Sequence, residues 1–108
     1  MTATTVAVNT GPDGTLVIQL RGVLNAEHAA DLRHTLIRAI RHTRPSCLIL
    51  DLAGVREIDA ISLGALAAAC HLGDVQHVAV YLDHSPEPLA RQLTAAGVAH
   101  HRLRGIMR

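Results

Sequence analysis

The chain has no phenylalanine, no tryptophan and a single tyrosine, Tyr81. Rings therefore do not build its core. With 49% of the 108 residues apolar, Leu, Val, Ile and Ala must do so. Such side chains favour close packing of helices on a sheet, with small residues at the contacts. The missing stacking platform also weighs against a small-ligand sensor.

Lysine is absent as well. All ten basic residues are arginine, set against nine acidic ones, for a net charge of +1 with histidines neutral. The arginines are scattered, so no phosphate-binding cluster forms, and an all-arginine usage fits a GC-rich genome. So small a net charge creates no strong field for nucleic acid or anionic membrane. No apolar run approaches the ~18–20 residues of a membrane span, and no secretory leader opens the chain. A cytoplasmic protein without membrane insertion is expected.

The motifs of phosphate and metal chemistry are missing too. Gly-x-Gly-x-x-Gly and Gly-x-x-x-x-Gly-Lys do not occur. None of the eight histidines (His28, His34, His42, His71, His77, His84, His100 and His101) forms an i, i+4 pair or a His-x-His, and no Cys-x-x-Cys occurs. No cofactor and no metal are expected. Ser62 lies in Ile61-Ser62-Leu63-Gly64, without the flanking glycines of a nucleophile elbow, so no catalytic residue is assigned.

What is present is a regular alternation of elements. Residues 4–9 and 15–20 read as a hairpin about the turn Gly11-Pro12-Asp13-Gly14. Asn25 is placed to cap a helix with Ala29, Leu32, Leu36, Ala39 and Ile40 on one face, and Pro45 ends it. Residues 47–52 are a continuous apolar run, expected to be a central strand covered on both faces, or on one face plus edges. A tight turn then leads to Asp59, which heads a second helix with Gly73 as its C-cap. Residues 77–82 are the next strand. Pro86 and Pro88 open a third helix that stops at Gly97, and residues 98–103 are a weaker strand or tail. The expected fold is one α/β domain over residues 1–108. Its sheet is mostly parallel and four- to five-stranded, with an N-terminal hairpin and helices chiefly on one face.

The two cysteines, Cys47 and Cys70, occupy apolar contexts at heights that allow them to approach. They read as two small buried hydrophobes, with a redox pair as the alternative. Ala60 and Ile61 stand where a polar loop is usual. Ile61 serves either as a staple onto the core or as an apolar contact for a partner.

Three segments carry a family resemblance. Gly22-Val23-Leu24-Asn25 before the first helix resembles a Gly-x-Leu-Asp pattern. Leu50-Asp51-Leu52-Ala53-Gly54-Val55 resembles Asp-Leu-Ser-Gly-Val. Residues 58–66, with Asp59, Ala60, Ile61, Ser62, Leu63 and Gly64, resemble an Asp-Ser-Ser-Gly-Leu-Gly-x-Leu motif. Together with the hairpin-first order, these are similar to the STAS domain family, which includes bacterial anti-sigma factor antagonists.

The resemblance implies a non-enzymatic interaction domain. Its expected partner is an anti-sigma factor that is also a serine-kinase-like ATP-binding protein, and its expected role is control of sigma-dependent transcription by partner switching. In that family the kinase phosphorylates the serine after the motif's Asp, and the added charge breaks the complex. Here Ala60 stands at that position and accepts no phosphate. Ser62 is the substitute, but it lies about 200° further around a helix. Asn25 replaces an Asp, keeping the cap and losing the charge. The implied partner-binding residues are Leu24, Asn25, Asp59, Ala60, Ile61, Ser62, Leu63 and Gly64, in a monomer or weak homodimer. The alternative is a STAS accessory subunit docking an ABC-transporter ATPase in lipid transport.

Overall fold

A computed structural model describes residues 5–11 and 13–108, with side chains from Val8 onward. Thr4 of the expected first strand and Pro12 of the expected turn lie outside the described residues. Strands β1 (Thr5–Thr10) and β2 (Thr15–Leu24) pair antiparallel. Gly14, at φ +84°, takes the left-handed conformation that favours glycine. The Asp13 carboxylate accepts a hydrogen bond from the Thr15 N–H at 3.1 Å, and this bond holds its pKa below the ordinary aspartate value.

Asn25 caps α1 (Ala26–Arg38), its side-chain oxygen accepting from the Glu27 N–H at 3.1 Å. The helix widens into a π-helical turn, Ala39–Thr43, and ends on Arg44 in the left-handed conformation, just before Pro45. Then follow β3 (Cys47–Ile58), α2 (Ala60–Gln76), β4 (Ala79–Asp83), α3 (Glu87–Ala95) and a short 3₁₀ turn, His100–Arg102. The last strand is β5 (Leu103–Arg104).

The sheet order is β1-β2-β3-β4-β5, and every pair after the first is parallel. Each crossover moves one strand further in the same direction. Right-handed crossovers therefore place all three helices on the same face. The burial pattern agrees. Leu16, Ile18 and Leu20 of β2, Leu48, Leu50 and Leu52 of β3, and Val80 and Leu82 of β4 are buried beneath the helices. One row of this core, Ile18, Leu50, Leu82 and Leu103, crosses four strands in register. The intervening residues Val17, Ile49 and Tyr81 stay half-buried on the open face. Of the two expectations for the apolar run, coverage on one face is what the fold adopts. The Arg104 guanidinium lies 4.0 Å over the Tyr81 ring on that open side and donates two hydrogen bonds to Asp83, at 2.8 and 3.0 Å.

Three expectations are corrected. The strand does not end at Leu52. Ala53–Ile58, read as a tight turn, continues β3 and pairs with β2 across two register shifts. The final strand is only two residues long, because the 3₁₀ turn takes up the segment before it. Gly73 does not cap its helix. α2 runs on to Gln76, and His77, at φ +60°, is the left-handed C-cap. Gly73 is instead where α2 touches the sheet. A Cβ there would sit 2.5 Å from Val80 Cγ2 and 2.7 Å from the Val78 carbonyl oxygen.

Cys70 is the buried hydrophobe expected, while Cys47 is only half-buried. Cys47 falls on the open-face parity of β3, whereas Cys70 is buried with α2 on the helical side. Both are free, and burial pushes both thiols above the ordinary cysteine value, away from the thiolate that redox exchange uses. Gly73→Ala is expected to destabilise the domain by about 1–3 kcal/mol, the usual cost of overpacking, read as a lower urea midpoint.

Candidate protein-docking site at the start of α2

β3 outruns its neighbour. Its pairing with β4 ends at Asp51 opposite Asp83, and from there to Ile58 it is held by β2 alone. The ends of β2 and β3 lie side by side, with Leu24 opposite Ile58. The Asp59 N–H donates to the Leu24 carbonyl at 2.9 Å, which fastens the second chain reversal to the first. Asn25 and Asp59 thus cap α1 and α2 from adjacent strands, and the two helices leave the sheet in the same sense.

Asp59 has extended backbone angles, φ −93° and ψ 172°, and accepts from the Ser62 N–H through Oδ1 at 2.8 Å. Its carbonyl accepts from the Leu63 N–H at 2.9 Å. The Ser62 N–H bond, ahead of the smaller opposing effect of desolvation, holds the Asp59 carboxyl below the ordinary aspartate value. The helix's positive end therefore already faces a carboxylate.

The eight expected contact residues divide by exposure. Ala60, Ile61 and Gly64 face solvent, with Ile61 61% exposed. Asn25, Asp59 and Leu63 are half-buried. Leu24 and Ser62 are buried. Leu24 belongs to the core and serves the site only through its carbonyl. The Ser62 hydroxyl is fully buried, and the helix is capped by the Asp59 side chain. Ile61 is not a staple, since it stands clear of the core.

Sequence reasoning missed the surface beside these residues. A groove of about 510 Å³ runs between α1 and α2, lined by Ala26, Ala29, Ala30, Ile61, Gly64, Ala65 and Ala68, with Arg33 among them. The signal was available as Ala and Gly at helical spacing on two consecutive helices. Their pairing needed the crossover geometry. Gly64 is notable because an added Cβ would meet nothing within 4 Å, so neither packing nor a positive φ requires glycine. Among the described residues no cluster of three or more His, Cys, Asp or Glu is placed to hold a metal. No helix among them is long and apolar enough to cross a membrane.

A family model described as "Mlab, STAS domain" matches residues 9–107. The chain belongs to the STAS domain family. Among solved structures, this STAS domain is similar to the anti-sigma factor antagonist SpoIIAA in its unphosphorylated form. That match has 13% identity and a TM-score of 0.79, over 96% of this chain and 90% of that one. It is also similar to an anti-sigma factor antagonist from Mycobacterium paratuberculosis, with 21% identity and a TM-score of 0.79, over 97% and 87%. A sulfate transporter family protein from Wolinella succinogenes matches with 19% identity and a TM-score of 0.74, over 92% and 83%. No curated protein matches the chain in sequence. At these identities the structures establish a shared fold.

The depressed Asp59 pKa gives this STAS domain a pH dependence of known sign. The contribution is complete above the unfolded value of about 3.9 and is lost as pH falls through the lower folded value. Asp59→Asn keeps a capping side chain and loses the charge. The urea midpoint of the wild-type domain is expected to exceed that of Asp59→Asn at neutral pH. The gap should close as pH falls below about 4.

Proposed function

We propose that this STAS domain acts by binding, as an anti-sigma factor antagonist-like module that docks a serine-kinase-type anti-sigma factor to regulate sigma-dependent transcription. The observation that carries the reading is the exposed pair Ala60 and Ile61 at the start of α2, on the rim of the α1–α2 groove. A side chain as apolar and exposed as Ile61, at a rigid helix terminus, is suited to desolvation against another protein.

Ala60 occupies the position where the family places its phospho-acceptor. A phosphate there would add about −1.5 to −2 charges beside Asp59, inside the contact. With alanine this off-switch is missing, and the domain holds the binding-competent state. Ser62 does not replace it, because its buried hydroxyl is out of a kinase's reach. Gly64 supports the same surface. In a solvent-facing helix interior, glycine costs roughly 0.5–1 kcal/mol relative to alanine, and nothing inside the fold repays it. A bare backbone that lets a partner approach closely accounts for its presence.

A second reading is that the same surface docks a transporter ATPase, as an accessory subunit in lipid transport. The Mlab description of the matching family model and the transporter-family protein among the similar folds favour it.

Tagged protein recovered from source lysate with ADP and with ATP separates the two. Retention of a serine-kinase-like protein supports antagonism, and retention of an ABC-type ATPase supports the second reading. With the kinase in hand, wild-type protein is expected to keep its mass in ATP, while Ala60→Ser gains one phosphate and dissociates. An Ala60→Ser domain that stays unmodified although the kinase binds would end the partner-switching reading. Gly64→Ala is expected to raise stability by about 0.5–1 kcal/mol and to weaken capture of the partner, measured by urea unfolding and by titration.

A further inference from the structure

The α1–α2 groove is apolar except at one place. Ala26, Ala29 and Ala30 of α1 and Gly64, Ala65 and Ala68 of α2 line it, with Ile61 near the helix starts. Arg33 is the one charged side chain in the lining. It is exposed, and its guanidinium makes no ion pair or hydrogen bond among the described residues.

No carboxylate of either helix answers that charge. Asp31 lines the hollow on the other flank of α1. Glu27 stands six residues before Arg33, about 120° around the helix. Between Ala60 and Gly73, α2 has no acidic residue at all. Asp59 is taken up in capping, and Asp74 is held by the Arg102 guanidinium. The groove is therefore cationic, and a counter-charge has to come from outside.

The lining also decides what kind of chain can enter. Inside an α-helix the backbone groups bond within the helix, and no lining side chain other than Arg33 is polar. An extended peptide laid there would leave its own N–H and C=O groups unmet, which is costly. A helix carries its hydrogen bonds within itself and presents only side chains. Walls of Ala and Gly admit its ridge closely. Arg33 adds a demand of sign. A partner that covers the groove takes the guanidinium out of water, and a buried cation without a counter-charge is strongly unfavourable.

We infer that the groove receives an α-helix of the docking partner, apolar along its facing ridge and carrying one Asp or Glu that pairs with Arg33. This rests on the docking reading above and names the chemistry of its partner. The spacing follows from the fold. Leu24 lies opposite Ile58. Ile61 is then level with residue 27 of α1, six residues or about 9 Å along the axis from Arg33. The incoming helix sets an aliphatic side chain against Ile61 and its carboxylate nearly two turns further along. A Lys or Arg at that place is repelled, so Arg33 selects among partners as well as binding one.

The partner retained by the wild-type domain, purified and titrated, is the probe. Arg33→Glu is expected to weaken binding by roughly tenfold or more, with an unchanged urea midpoint. Arg91→Glu, the same charge change at an exposed position of α3, is expected to bind like wild type. Added salt should weaken the wild-type complex more steeply than that of Arg33→Gln. The chain has no lysine, so Arg33→Lys places its one side-chain amine in the groove. Carbodiimide is expected to couple that amine to an Asp or Glu within a helix of the partner, identified by mass spectrometry. Reversing that acid to Arg is expected to restore binding to Arg33→Glu. If Ile61→Asp abolishes binding but Arg33→Glu is silent, the guanidinium swings clear into solvent; this inference falls and the docking reading stands. A cross-link confined to a loop or strand of the partner overturns it in the same way. A partner that ignores both substitutions, or no retained partner at all, removes both readings.

Discussion

α2 rests on β4 with no side chain between them at Gly73, where any Cβ would run into Val80 and the Val78 carbonyl. That contact sets how deep the middle helix sits on the sheet. Leu66, Ala69 and Cys70 reach the core only at that depth, and the row Ile18, Leu50, Leu82 and Leu103 is sealed by it. A chain without Phe or Trp has no large ring to fill a gap, so closeness replaces bulk. The Arg102 guanidinium secures the far end, joining the carbonyl of Val80 to Asp74 at the C-terminal end of α2.

With α2 seated by its C-terminal half, its first turn is carried out to the end of β3, beyond the reach of β4. There the backbone is anchored rather than free. The Asp59 N–H meets the Leu24 carbonyl, and the Asp59 carboxylate answers the Ser62 N–H. Two N–H groups of the helix start, those of Ser62 and Leu63, are met by Asp59. What remains outward is apolar: Ala60, Ile61 and the bare backbone of Gly64. What such a surface offers is desolvation, on which the docking proposed above relies.

Much of this was legible beforehand. The hairpin, the caps at Asn25 and Asp59, the paired prolines that open α3 and the alternation of strand and helix follow from local rules of turn, cap and periodicity. The departures came where tertiary contacts overrode those rules. Gly73 has the composition of a C-cap, but its neighbour across the core decides its role. Ala53 and Gly54 read as a turn because their strand partner, the bulged middle of β2, lies far away in sequence. Cys47 and Cys70 were placed at similar heights. Height along a strand does not say which face a side chain takes, and these two lie on opposite sides of the sheet. At the candidate site, pattern singled out the Asp59–Gly64 segment but not its division into exposed and buried residues. Ser62 and Ile61 are adjacent in sequence and opposite in exposure, because a helix turns about 100° per residue and only the sheet says which side is inside.

The sequence by itself determined the fold class, the order of elements, the absence of nucleotide and metal motifs, and the alanine at position 60. These are properties of residue type and short-range spacing, and burial does not alter them. Tertiary structure alone decided that one face of the sheet stays open, that Leu24 and Ser62 turn inward, and that α1 and α2 share a groove. It also decided that α2 keeps an apolar face in solvent from Ile61 to Val75. Each of these depends on which elements end up side by side. Here that is set by three successive right-handed crossovers in one direction, a long-range constraint that no local stretch of the chain contains.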